Sequence, residues 1–148
     1  MLALLPHVAA AQTAGGARAE LRLETIAARR TTVQAGAGFN AMAGPYVRWG
    51  LVVAGGATRT HDLLAATWRA DAVVRFVLDP FRESRRGLYG LAGVSAMDDG
   101  SGTWEPRVLV GVGIEGRAHG RAIPSLELAL GGGVRVAAVV RRTRHNRR

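Results

Sequence analysis

Apolar and polar residues alternate with a period of two along most of the chain, the spacing that sends successive side chains to opposite faces of a β-strand. Ala19, Leu21 and Leu23 alternate with Glu20, Arg22 and Glu24; Val33, Ala35, Ala37 and Phe39 alternate with Gln34, Gly36, Gly38 and Asn40. Val47, Trp49, Leu51 and Val53 stand opposite Tyr46, Arg48, Gly50 and Val52. Trp68 to Leu78 sets Trp68, Ala70, Ala72, Val74, Phe76 and Leu78 against Arg69, Asp71, Val73, Arg75, Val77 and then Asp79. A fifth run, Gly87 to Ala96, is glycine-rich and its faces are ambiguous. A sixth opposes Val108, Val110, Val112 and Ile114 to Arg107, Leu109, Gly111, Gly113 and Glu115. The seventh carries Leu126, Leu128, Leu130, Val134, Val136, Ala138 and Val140 on one parity, opposite Glu127, Ala129 and Arg135.

The unbroken parity through Gly131-Gly132-Gly133 favours one long kinked strand over a turn between two short ones. Turn signals separate the other runs at hairpin length; Thr58 to Ala66 is the longest predicted loop, with room for a helical turn at Asp62-Leu63-Leu64. Consecutive hairpins without a covering helix predict an all-β fold, an antiparallel up-and-down barrel of seven to eight strands, because closure removes exposed sheet edges.

Charge sorts with face. Opposite the apolar series stand Arg22, Arg48, Arg69, Arg75, Arg107 and Arg135 with Glu20, Glu24, Asp71, Asp79, Glu115 and Glu127, six of each sign. A neutral set of arginines and carboxylates among glycines fits a packed, ion-paired lumen, where forked guanidinium–carboxylate pairs offset the cost of burial. The apolar face then meets lipid, as in a transmembrane barrel with polar-in, apolar-out strands. The same alternation inverted describes a soluble lipocalin-like barrel in the periplasm, with a small apolar ligand inside.

Composition narrows the classes. The chain has 148 residues, 48% of them hydrophobic, and no cysteine, which gives room for one domain with a core and excludes disulfide scaffolds and cysteine-based metal or redox sites. The opening MLALLPHVAAAQT has the apolar stretch and small-residue end of a secretory signal without its charged start. The expected organisation is a truncated signal peptide over 1–11, a linker over 12–17, the barrel over 18–141 and a basic tail over 142–148.

The alternating segments, with Gly44-Pro45-Tyr46-Val47-Arg48-Trp49-Gly50 and Gly131-Gly132-Gly133-Val134-Arg135-Val136, make Arg18 to Arg142 resemble the small single-domain outer-membrane β-barrel proteins of Gram-negative bacteria. The resemblance implies about eight strands and a bacterial outer-membrane location, with a structural, surface or lipid-interacting role. Seven runs depart from the even strand number of that class, and the basic tail departs from its aromatic terminal signal.

The net charge of +9 lies in turns and termini. Arg82, Arg85, Arg86, Arg117 and Arg121 belong to turns placed at one end of the barrel, and Arg141 and Arg142 open the tail; all seven are expected to meet anionic head groups of outer-membrane lipid or lipopolysaccharide. No nucleic-acid partner is expected, since the tail interleaves no aromatic residue for base stacking. His7, His61, His119 and His145 have no ligand or nucleophile spacing with one another or with Ser84, Ser95, Ser101 and Ser125. The expectation is a monomeric, non-enzymatic barrel without cofactor or metal.

Overall fold

The computed structural model describes residues 16–60, 63–80, 86–98 and 101–142. The segment 1–11 and the tail residues 143–148, assigned above to a signal and a basic extension, lie outside the described residues, as do Arg82 and Arg85.

Eight antiparallel strands close into an up-and-down barrel: β1 (Arg18–Ala27), β2 (Thr31–Met42), β3 (Val47–Thr60), β4 (Leu63–Val77), β5 (Gly87–Asp98), β6 (Glu105–Glu115), β7 (Ala122–Leu130) and β8 (Val134–Arg142). Each strand pairs with the next in sequence, and β1 closes the ring on β8 from Glu20↔Arg141 to Ala27↔Val134. Both outer ends of the barrel segment, Arg18 and Arg142, therefore lie at one rim. We call this the terminal end and the opposite rim the distal end.

The seventh run is two strands, not one kinked strand. Leu130 opposes Val134, and Gly131, Gly132 and Gly133 make a three-residue turn in which Gly132 and Gly133 take positive φ of 76° and 154°. Directly opposed residues share a face, so a three-residue hairpin loop preserves parity as faithfully as an uninterrupted strand does. The expected loop from Thr58 to Ala66 is likewise mostly strand: β3 and β4 pair out to Thr60↔Leu63.

Register sets the barrel's dimensions. Following it from Leu21 through Ala37, Val53, Ala70, Ala96 and Pro106, then across β7 and β8, returns to β1 about ten residues further on. With a rise of about 3.3 Å per residue and strands about 4.8 Å apart, that stagger tilts eight strands by about 40° around a backbone radius of about 8 Å. A cylinder of this size is filled by its own side chains.

Candidate functional site

The charged series points inward. Arg22, Arg48, Arg69, Arg75 and Arg135 are buried with Glu20, Glu24, Asp71, Glu115 and Glu127, while Leu21, Leu23, Val53, Leu128 and Val136 lie exposed on the outer wall. In the glycine-rich strand, Tyr89, Leu91, Ser95 and Met97 are the inward residues. Gly113 faces Tyr89 so closely that any Cβ there would enter the phenol ring, so the missing side chain makes room for the tyrosine.

Three expected placements are corrected. Arg141 is buried in the lumen, not in a head-group-facing tail: β8 keeps the parity of Arg135 to its end, so Arg141 points inward. Arg107 shares the inward parity of β6 but sits at the distal rim, where it pairs with the exposed Glu105 at 2.6 Å and donates to the Gly132 carbonyl at 3.1 Å. Asp79 lies beyond the end of β4, half-buried in the connection to β5, and so is outside the lumen set. Among the described residues the lumen thus holds six arginines and five carboxylates.

The pairs form two tiers. Towards the terminal end, Glu127 accepts from Arg75 Nε at 3.0 Å, Arg141 Nη2 at 2.6 Å, the Tyr89 hydroxyl at 2.9 Å, and Arg22. Glu20 accepts from Arg75 Nη2 and Asn40 Nδ2, both at 3.0 Å. Glu115 accepts from Arg48 and from Arg141 Nη1, the latter at 2.8 Å. Four arginines (Arg22, Arg48, Arg75 and Arg141) here face three carboxylates whose oxygens take several donors each, the condition under which buried charge is tolerated.

The distal tier is looser. Arg69 pairs with Glu24 and lies 3.4 Å from Asp71, while Arg22 and Arg135 approach Asp71 at 3.8 and 3.7 Å. Arg135 also donates to Ser95 Oγ at 3.3 Å. Arg22 reaches both tiers, bonded to Glu127 and 3.8 Å from Glu24 and from Asp71, so the single surplus positive charge of the lumen belongs to neither tier alone. A space of about 10 Å³ lined by Arg22, Glu24, Arg75 and Glu127 is about the size of one water, so this network obstructs the lumen.

Sequence reasoning did not find Tyr89, Asn40 or the Gln34–Thr67 bond of 2.9 Å that layers above the ion pairs. Residues 78–80, Arg86 and 116–121 lie at the terminal end, where Arg86, Arg117, Arg121 and Arg142 are all exposed. Among the described residues no group of three or more histidines and carboxylates is arranged to hold a metal ion.

Aromatic residues collect at two levels of the outer wall. Phe39 and Trp49 meet edge-to-face at 5.7 Å, and Tyr46 stacks on Phe76 at 6.0 Å, all near the terminal end. Trp68 and Trp104 line a shared groove of the outer wall towards the distal end. Tyr89 is not part of this outer set: it is in the lumen because β5 turns its odd-numbered residues Tyr89, Leu91, Ser95 and Met97 inward. Scanned against family models the chain matches none, and no curated protein matches it.

Proposed function

We propose that this chain is a small outer-membrane barrel with a structural or lipid-interacting role and no catalysis, its lumen closed by ion pairs and its terminal rim set against anionic lipid. The observation that carries the reading is the orientation of the wall: charge inside, and Leu, Val, Phe and Trp side chains outside over the whole circumference. Water gives no reason to expose such a band, whereas hydrocarbon does. On β4, Trp68 and Phe76 are eight residues apart. At the rise and tilt above, that is about 20 Å along the barrel axis, close to the apolar band of about 25 Å in outer-membrane barrels.

A soluble carrier of an apolar ligand needs an apolar interior, and here the buried apolar cluster of Val73, Leu91, Leu109 and Ala129 shares the interior with eleven buried guanidinium and carboxylate groups. Ser125 accepts from Arg141 at 2.8 Å and Ser95 from Arg135 at 3.3 Å, so both hydroxyls belong to the ion-paired lumen network. Arg86, Arg117, Arg121 and Arg142 stand beyond the Phe39, Tyr46, Trp49 and Phe76 collar, the depth at which phosphate head groups lie in this reading.

The test is refolding of the full chain from urea with and without maltoside micelles, read by the mobility of unheated against boiled samples in SDS gels. A heat-dependent shift obtained only with micelles is expected. A folded β protein recovered in buffer alone overturns the proposal.

A further inference from the structure

The distal end of the lumen opens into a cavity of about 460 Å³ that differs in character from the plugged network beneath it. Its floor is made by Ile26, Thr32, Thr58 and Met97, all buried. Its rim carries Arg29 and Arg30 from the β1–β2 turn and Arg107 from β6, brought together from opposite sides of the sequence by barrel closure. Arg107 has Glu105 as its carboxylate partner. Arg29 and Arg30 make no ion pair or hydrogen bond through their side chains with the described residues, and both are exposed. Below the floor lies the ion-paired lumen, whose six arginines outnumber its five carboxylates by one among the described residues, so the formal charge is positive both at the rim and in the lumen beneath.

We propose that this vestibule binds a phosphate monoester carried on a small polar body such as a sugar or glycerol, either free or as a lipid head group. Guanidinium groups fork onto two oxygens of a phosphate, and two arginines with no carboxylate partner among the described residues are placed to do so. The volume exceeds what phosphate alone fills and falls in the range of small-molecule sites. Thr32 and Thr58 line the floor where the polar body of the ligand would rest, the Thr58 hydroxyl donating to the Thr31 carbonyl at 3.3 Å and keeping its oxygen as an acceptor. The wall here is also uneven. β7 and β8 are nine residues each and meet at the Gly131–Gly133 turn, whereas β3 and β4 run to 14 and 15; at the short side the Arg107 guanidinium donates to the Gly132 carbonyl at 3.1 Å. The inference rests on the mouth of the lumen and holds whether the outer wall faces lipid or not.

The experiment titrates the folded full chain, in maltoside micelles, with glucose 1-phosphate, inorganic phosphate and glucose, following backbone amide shifts. Saturable binding of glucose 1-phosphate is expected, tighter than that of phosphate and absent for glucose, with the shifts centred on Arg29, Arg30, Arg107 and Gly132. The R29A/R30A pair should weaken it at least tenfold, and R107Q severalfold, while R117A/R121A at the opposite rim leaves it unchanged. These are surface substitutions, and retention of the heat-dependent gel shift reports that each variant folds. Micelles doped with phosphatidic acid separate the two sources: tenfold tighter binding than glucose 1-phosphate assigns the site to a lipid head group, and equal or weaker binding assigns it to a free phosphate ester. The proposal is overturned by the absence of saturable binding, or by equal weakening in R29A/R30A and R117A/R121A, which marks diffuse charge attraction.

Discussion

Arg141 lies over the face of the Tyr89 ring, 5.1 Å from its centroid, and also donates to the Tyr89 hydroxyl at 3.0 Å. That hydroxyl in turn donates to Glu127, so β5, β7 and β8 are tied through one tyrosine. Arg141 reaches Glu115 on β6 and approaches Glu20 on β1 at 3.5 Å as well. One guanidinium near the end of the last strand thus joins five strands across the β1–β8 seam. R141A leaves several buried carboxylates short of a donor, and we expect it to lower unfolding stability in micelles by about 3–5 kcal/mol. R142A, one residue on and exposed, should change it by less than about 0.5 kcal/mol. Urea titration of the two variants checks the contrast, and equal small effects would return Arg141 to the rim.

Glu127 accepts hydrogen bonds from three arginines, Arg22, Arg75 and Arg141. E127Q keeps its shape and removes its charge, leaving Arg22, Arg75 and Arg141 with a shared deficit; a loss of about 3–5 kcal/mol is expected. R75L alone should cost a few kcal/mol, about 3, because Arg141 still serves both Glu20 and Glu127. The E127Q/R75L double variant removes one charge of each sign, so its cost should fall short of the sum by at least about 1 kcal/mol. Additive losses in that cycle would show that the two groups do not interact.

The β7–β8 turn explains where the sequence was legible and where it was not. Facing was legible because period two separates lumen from wall on every strand with side chains to show it: Glu20, Arg22, Glu24, Arg69, Asp71, Arg75 and Glu127 all lie inside as the alternation implies. Strand number was not legible, because a three-residue turn and a kink give identical parity at Gly131–Gly133. Height along the axis was not legible either. Arg107 and Arg135 have the same inward parity, yet only register shows that one stands at the rim and the other in the plug. Arg141 was readable from the parity of Arg135 and was masked by the run of arginines after it. The turn itself is testable. Gly132 takes φ of 76° and any Cβ there meets the Arg107 guanidinium, so G132A should cost about 1 kcal/mol or more. A loss confined to the level of G120A, whose glycine also has positive φ but open space around it, would show that the approach of Arg107 adds nothing.

The basic terminal rim makes an electrostatic prediction. R117A/R121A should weaken association of the folded barrel's rim with anionic vesicles by about 1 kcal/mol per arginine at low salt, with the difference vanishing as salt shortens the screening length. Flotation of micelle-exchanged protein with vesicles of graded phosphatidylglycerol content measures it. No change at low salt would leave those arginines as solvated turn residues.

The sharpest division between a lipid-facing and a water-facing wall comes from a single outward leucine. Leu128 lies on the outward face of β7 two residues before its end, half exposed, opposite Val112 on one side and Val136 on the other, with no carboxylate in either opposed pair. In water an arginine at that position loses little, since an exposed strand residue away from caps and cores changes stability by less than about 0.5 kcal/mol. In hydrocarbon the same guanidinium near the midplane of the apolar band costs about 2–4 kcal/mol. L128R should therefore lower the stability of the barrel in phospholipid bilayers by that larger amount, whereas W104R, at the distal rim, should cost about 0–1 kcal/mol by the same depth dependence. Unfolding titrations in bilayers of defined thickness read both. A steep difference between Leu128 and Trp104 is the signature of a membrane-spanning wall, and two equally small losses would mean that water, not lipid, meets the Leu and Val face.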